Sequence, residues 1–104
     1  MSWHIALNMI LDKHFVEVQK AGYVTEDIKN SIIDEADDIF GLLFDYEISG
    51  TDKKVEGGEP VYLKFKLYPI NPKFKKFSAT FVRAGRSKRM QTQNYLSVIE
   101  GYQQ

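Results

Sequence analysis

The sequence predicts an α+β fold, with two N-terminal helices packed on a small three-stranded antiparallel sheet, followed by a C-terminal helix or a fourth strand. Apolar residues recur every three or four positions up to about residue 43, which is the period of a helix. From Tyr46 onward they alternate with polar residues, which is the period of a strand. The chain has 104 residues and no dividing linker, so it is expected to form one compact domain over residues 1–104.

The first predicted helix covers residues 2–20, and Ser2 is placed to cap its start. Its apolar face, at helical spacing, comprises Trp3, Leu7, Ile10, Leu11, His14 and Val18. A second apolar strip, formed by Ile5, Met9 and Val16, indicates that the helix is covered on two sides or that HFVEV is partly strand.

The second predicted helix runs from Glu26 to Phe40 or Leu43. Thr25 is a favourable N-cap, and the acidic residues that follow it suit the positive end of the helix dipole. The face expected to be buried comprises Ile28, Ile32, Ala36, Ile39 and Leu43.

The strands are predicted from strict alternation. A short strand surrounds Tyr46 and Ile48, the segment VYLKFKLYPI forms a half-buried second strand, and FSATFVRA forms a third. The turn PINP should join the last two strands into an antiparallel hairpin. Residues 50–60 are polar and rich in glycine, which predicts a mobile loop. After Gly85, Ser87 could cap a final helix through Tyr102, although QNYLSVI also fits a strand.

The formal net charge of zero conceals a split between the two parts of the chain. Residues 1–60 carry five Lys and Arg against thirteen Asp and Glu, whereas residues 61–104 carry nine against the single Glu100. Such asymmetry bears on partners rather than on fold. Three interpretations stay open: the two parts neutralise each other inside one molecule, two copies pair, or one part meets an oppositely charged partner.

The split supports a small non-enzymatic interaction module that acts by charge-complementary contact with a partner protein or a second copy. On the second helix three carboxylates fall within about 40° of one another and form an acidic stripe, since successive residues turn by about 100°. The predicted protein-binding residues of both signs are Asp27, Asp34, Asp38, Lys64, Lys66, Arg86, Lys88 and Arg89. An adaptor, an inhibitor or an assembly component fits this profile, as do compact proteins of phage and other mobile elements.

The alternative function is nucleic-acid binding, because no carboxylate interrupts the stretch from Lys64 to Arg89 and aromatic residues lie between its cations. Lysines attract phosphates, and flat rings can stack on bases. The turn GRSKR could also hold an anion on its backbone N–H groups. The residues predicted for this alternative are Tyr62, Lys64, Lys66, Tyr68, Lys76, Arg83, Arg86 and Arg89.

Nothing in the sequence predicts catalysis, a cofactor or a metal site. No cysteine is present, no phosphate-loop motif occurs, and no Ser or Thr has a credible base. His4 and His14 lie about 15 Å apart on one helix, and His14 on the apolar face is expected to be structural. No apolar run suits a membrane helix and no secretory signal precedes the first helix, so a cytoplasmic location is expected.

Overall fold

The computed structural model describes residues 2–90, in which two helices precede a three-stranded sheet. The helices and strands are α1 Trp3–Ala21, α2 Glu26–Phe40, β1 Phe44–Gly50, β2 Pro60–Pro69 and β3 Ala79–Arg86. Short 3-10 helices at Gly41–Leu43 and Pro72–Phe77 precede β1 and β3. The antiparallel strand order β1-β2-β3 confirms the predicted α+β fold. From Gln91 onward, the predicted C-terminal helix or fourth strand lies outside the residues that the structure describes.

Helix α1 begins and ends at the predicted signals. The Ser2 side chain accepts a hydrogen bond from the Ile5 amide, and Gly22 ends the helix with a left-handed φ of 81°. The buried side chains Leu7, Leu11, His14 and Val18 confirm most of the predicted apolar face. The second strip of Ile5, Met9 and Val16 is exposed.

Helix α2 is capped by Thr25, whose side chain accepts from the Ile28 amide at 3.0 Å. Ile28, Ile32 and Ala36 are buried as predicted. The predicted extension to Leu43 is wrong. Gly41, with a φ of 64°, ends the helix, and the 3-10 turn that follows leaves Leu43 exposed instead of buried.

Strand β2 is the centre of the sheet and of the core. Its residues Val61, Leu63, Phe65 and Leu67 are buried and face the helices, as their alternation with exposed residues predicts. The Phe65 ring is 0% exposed and stacks on Tyr46 with ring centroids 5.7 Å apart. Burial against α1 and α2 is therefore the main force that fixes the sheet on the helices.

One end of the fold is closed by the loop between β1 and β2. The Val55 amide donates to the Gly22 carbonyl at 3.0 Å, and the Gly58 amide donates to the Ser87 carbonyl at 2.8 Å. The Lys88 amide donates to the Gln19 carbonyl at 2.7 Å. We call this the anchored end, comprising Gly22 with residues 51–59 and 86–89. The mobility of residues 50–60 stays a prediction.

Candidate functional site

The acidic stripe lies on the solvent side of α2. Asp27, Asp34 and Asp38 are exposed, and no ion pair joins them to a cation within residues 2–90. The neighbouring Asp37 is not part of the stripe and faces Tyr46 instead. Burial of the Tyr46 hydroxyl and the charge of Asp37 raise the pKa of that hydroxyl well above its usual value. The stripe is thus available for contact in the described part of the molecule.

The outer face of the sheet carries Tyr62, Lys64, Lys66 and Tyr68, in the alternation that the sequence predicts. Strand β1 adds carboxylates to this face. Glu47 lies opposite Lys66, and Asp45 lies opposite Tyr68 and accepts from its hydroxyl at 3.4 Å.

This arrangement makes the outer face mixed in sign rather than purely basic. The charge of Asp45 raises the pKa of Tyr68 above its usual value. Sequence reasoning missed these carboxylates because they lie in the acidic part of the chain and join the face only through strand pairing.

Two predicted cations lie elsewhere than on the outer face. Lys76 belongs to the 3-10 helix Pro72–Phe77, because β3 begins only at Ala79. Arg83 shares the inward side of β3 with Phe81 and turns toward α1. There its guanidinium pairs with Asp12 and donates to the Asn8 side chain. Arg83 therefore holds the sheet against α1.

The GRSKR turn is used inside the fold. Arg86 donates to the Gly58 carbonyl at 2.8 Å, and Arg89 donates to the Val55 carbonyl and pairs with Glu56, both at 3.2 Å. The amides of residues 87 and 88 donate to the backbone carbonyls of Glu59 and Gln19, and the Arg89 amide donates to the Ser87 hydroxyl. The predicted anion cradle is therefore wrong, because its N–H groups are already occupied. The Lys88 side chain is exposed.

An apolar groove that the sequence did not predict lies at the other end of the sheet. It has a volume of about 550 Å³. Five exposed apolar side chains line it with the half-buried Phe44. The exposed members are Leu42, Leu43, Ile70, Phe74 and Phe77. We call residues 41–44 and 69–77 the groove end.

Two hydrogen bonds and a pair of aromatic rings shape the walls of the groove. The Ile70 amide donates to the Leu43 carbonyl at 3.1 Å and joins the two sides. The Asn71 side chain accepts from the Lys73 amide at 3.0 Å and starts the 3-10 helix. The rings of Phe74 and Phe77 lie with centroids 6.3 Å apart along one wall.

Three lysines flank the phenylalanines of the groove in the sequence of the 3-10 helix. Lys73, Lys75 and Lys76 are exposed, and the Lys76 ammonium lies 5.4 Å from the centre of the Phe77 ring. Within residues 2–90 none of the three pairs with a carboxylate. The sequence signal was the run PKFKKF, whose two phenylalanines interrupt a lysine cluster in a turn.

His14 is buried between the helices, as its place on the apolar face of α1 predicts. Its Nε2 atom lies 3.1 Å from Glu35 Oε2, and its Nδ1 atom lies 2.9 Å from Glu17 Oε1. Partial burial would raise the pKa of Glu35, but hydrogen bonds and charge from Lys13 and His14 lower it overall. No group of three His, Asp or Glu side chains within residues 2–90 is arranged to hold a metal ion.

Comparisons with known proteins identify neither a family nor a function for this chain. No protein-family model matches it, and neither a curated protein nor a solved structure is significantly similar. In the part of the chain that the structure describes, no helix is long and apolar enough to span a membrane.

Proposed function

We propose that the protein is a small non-enzymatic interaction module that binds a partner protein through charge-complementary contacts. The observation that carries this proposal is the separation of unpaired charges. The aspartates of α2 lie in the helical layer, while Lys73, Lys75 and Lys76 lie at the far end of the β2–β3 hairpin. Complementary charge speeds association and selects partners more than it adds affinity. The module would serve as an adaptor, an inhibitor or an assembly component.

The ion pairs within residues 2–90 support this interpretation over internal neutralisation. Among the ion pairs of residues 2–90, Arg83–Asp12 and Arg89–Glu56 join the basic part of the chain to the acidic part. Lys64, Lys66 and Lys88 are exposed and, like the lysines at the groove end, form no ion pair with a described carboxylate. Most of the basic charge therefore remains available to a partner.

Nucleic-acid binding is the less supported alternative. Its aromatic ladder of Tyr62 and Tyr68 does face outward, but Glu47 and Asp45 share that face and would repel phosphates. Arg83 and Arg89 pair with carboxylates of the fold itself. The surface that remains for a polyanion is smaller than the sequence predicted.

The absence of cysteine is in keeping with a reducing compartment, and we propose the cytoplasm as the location. By analogy of size and composition, we also propose an origin in phage or another mobile element. Detection of the tagged protein in fractionated cells of its source tests the proposed location, and recovery with the membrane or secreted fraction would contradict it.

The test is fluorescence anisotropy with three labelled probes, namely a Glu-rich peptide, a Lys-rich peptide and a single-stranded oligonucleotide, at about 50 and 200 mM salt. The double variant Asp34→Lys with Asp38→Lys should abolish binding of the Lys-rich peptide only. The double variant Lys73→Glu with Lys75→Glu should abolish binding of the Glu-rich peptide only. Oligonucleotide binding that is tighter than either peptide and depends on Tyr62 would replace the proposal with the alternative. Peptide binding unchanged by both double variants would contradict the proposal.

A further inference from the structure

We propose that the groove between Leu42–Leu43 and the 3-10 helix Pro72–Phe77 seats an acidic amphipathic segment of a partner protein. The apolar side chains of the segment would enter the groove, and its carboxylates would meet the lysines beside it. This inference rests on the proposed function and names the site and the chemistry of the partner.

The first support is the clustering of exposed apolar side chains. Leu42 is 91% exposed, Leu43 74% and Ile70 61%, while Phe74 and Phe77 are 50% and 56% exposed. Isolated exposed apolar residues are ordinary, but a contiguous group around one concavity marks an interaction site. None of these five belongs to the buried core or to the partly buried side chains that pack against it, so the core does not explain their presence.

The second support is the preformed shape of the groove. The hydrogen bond from Ile70 to Leu43 ties its two sides together. The amides of Phe74 and Ser78 donate to the carbonyls of Asn71 and Lys75 and fix the turn between them. A site ordered before binding loses less conformational entropy when a ligand arrives. The fold therefore holds the apolar wall of the groove in place before a ligand binds.

The third support is the charge around the groove. The lysines flank the phenylalanines in sequence, and no carboxylate occurs from Lys64 to Arg89. The carboxylate nearest in sequence is Asp45, which follows the groove residue Phe44. It is already engaged, because it accepts hydrogen bonds from the Tyr68 hydroxyl and from the Tyr46 amide. The exposed lysines of the 3-10 helix thus favour a ligand that carries negative charge beside its apolar residues.

The acidic stripe of a second copy does not fit this groove. Asp34 and Asp38 are exposed, but no large apolar residue of α2 is exposed beside them. Ile28, Ile32 and Ala36 are buried under the helix. A partner with both acidic and apolar side chains on one surface is therefore required. The groove volume of about 550 Å³ lies in the range of pockets that bind a drug-sized ligand, which is the bulk of a few side chains.

The test is binding of a labelled helical peptide, about four turns long, with Leu and Phe on one face and Glu on the others. Leu43→Ser combined with Phe74→Ser should weaken binding by at least about tenfold, the loss typical of central contacts. The matched control, Ile5→Ser with Val16→Ser, removes similarly exposed apolar residues from α1 and should change binding less than about twofold. Circular dichroism checks that all variants remain folded.

The outcomes separate this inference from the proposed function. Loss of binding in Lys73→Glu with Lys75→Glu, but not in the groove variant, would overturn the groove while charge-complementary binding stands. No binding of the amphipathic peptide to the unaltered protein overturns the groove, and retained binding of the Glu-rich peptide would still support the proposed function. Groove-dependent binding to anionic vesicles, or groove-dependent self-association, in place of peptide binding would also overturn it.

Discussion

The two ends of the β2–β3 hairpin use the same basic stretch of sequence in opposite ways. At the anchored end, Arg86 and Arg89 donate to loop carbonyls, and the amides of residues 87–89 are hydrogen-bonded within the fold. At the groove end, Lys73, Lys75 and Lys76 are exposed beside apolar side chains that the core does not use. The guanidinium groups stabilise the fold, whereas the ammonium groups remain available for binding.

The difference follows from the chemistry of the two side chains. A guanidinium presents several donors in a rigid plane and can satisfy a carbonyl and a carboxylate together, as Arg89 does with Val55 and Glu56. An ammonium on a flexible chain is strongly hydrated and keeps its charge in water. Positive charge alone in a sequence is therefore a poor guide to a binding surface, since part of it is structural.

The largest expected effect separates the core from the groove. Phe65→Ala removes a ring that is 0% exposed and should destabilise the protein by about 3–5 kcal/mol. Phe77→Ala removes a ring that is 56% exposed and should change stability by less than about 1 kcal/mol. Urea unfolding followed by circular dichroism measures both. Equal losses would mean that the groove is part of the core.

The next effect concerns the anchored end. A Cβ at Gly22 would lie 2.6 Å from the Val55 carbonyl oxygen, and φ there is +81°. Gly22→Ala should therefore cost about 2–4 kcal/mol, from strain and overpacking together. The control is Gly58→Ala, where φ is +91° but nothing lies within 4 Å. It should cost only about 1–2 kcal/mol, and a loss as large as that of Gly22→Ala in thermal unfolding would contradict the crowding argument.

A smaller effect tests the contrast between arginine and lysine. Arg89→Ala removes two hydrogen bonds at the anchored end and should lower stability by about 1 kcal/mol. Lys75→Ala should leave stability within about 0.5 kcal/mol, because its side chain contacts no described carboxylate. Chemical unfolding of the two variants measures both losses of stability. A larger loss in Lys75→Ala than in Arg89→Ala would remove the distinction between the two ends.

The smallest effect is a dependence on pH in the helical layer, away from both ends. Because the folded pKa of Glu35 is lowered, its charged form stabilises the fold above the ordinary value of 4.5. That contribution is lost as the pH falls through the lowered value. Glu35→Gln should cost about 0.5–1 kcal/mol at neutral pH, as a partly exposed ion pair does, and the two proteins should converge in acid. A constant difference in stability down to strongly acidic pH would contradict this account.

Local signals made much of the fold predictable. The Thr25 cap, the helical spacing of Leu7, Leu11 and Val18, and the alternation along β2 depend on neighbouring residues alone. Lys76 and Arg83 were predicted as parts of one nucleic-acid-binding surface, yet Lys76 lies in the 3-10 helix before β3 and Arg83 lies on the inward side of β3. Alternation does not show where a strand begins, and sequence alone does not show which cations pair inside the fold.

The groove was missed because it depends on contacts between distant segments. The exposure of Leu42 and Leu43 follows from the end of α2 at Gly41 and from the hydrogen bond between Leu43 and Ile70. The acidic stripe was predictable from helix geometry. The carboxylates on the outer face of the sheet were not, because the register of β1 on β2 brings them there.

The most direct test of the contrast between the ends is an NMR titration of the isotopically labelled protein with the acidic amphipathic peptide. Amide shifts should concentrate at Leu42–Phe44 and at residues 70–77, the two sides of the groove. The amides of Gly22 and of residues 86–89 should stay unchanged, because they lie at the opposite end of the β2–β3 hairpin from the groove. Shifts centred on the anchored end or on the outer face of the sheet, with the groove silent, would contradict the account.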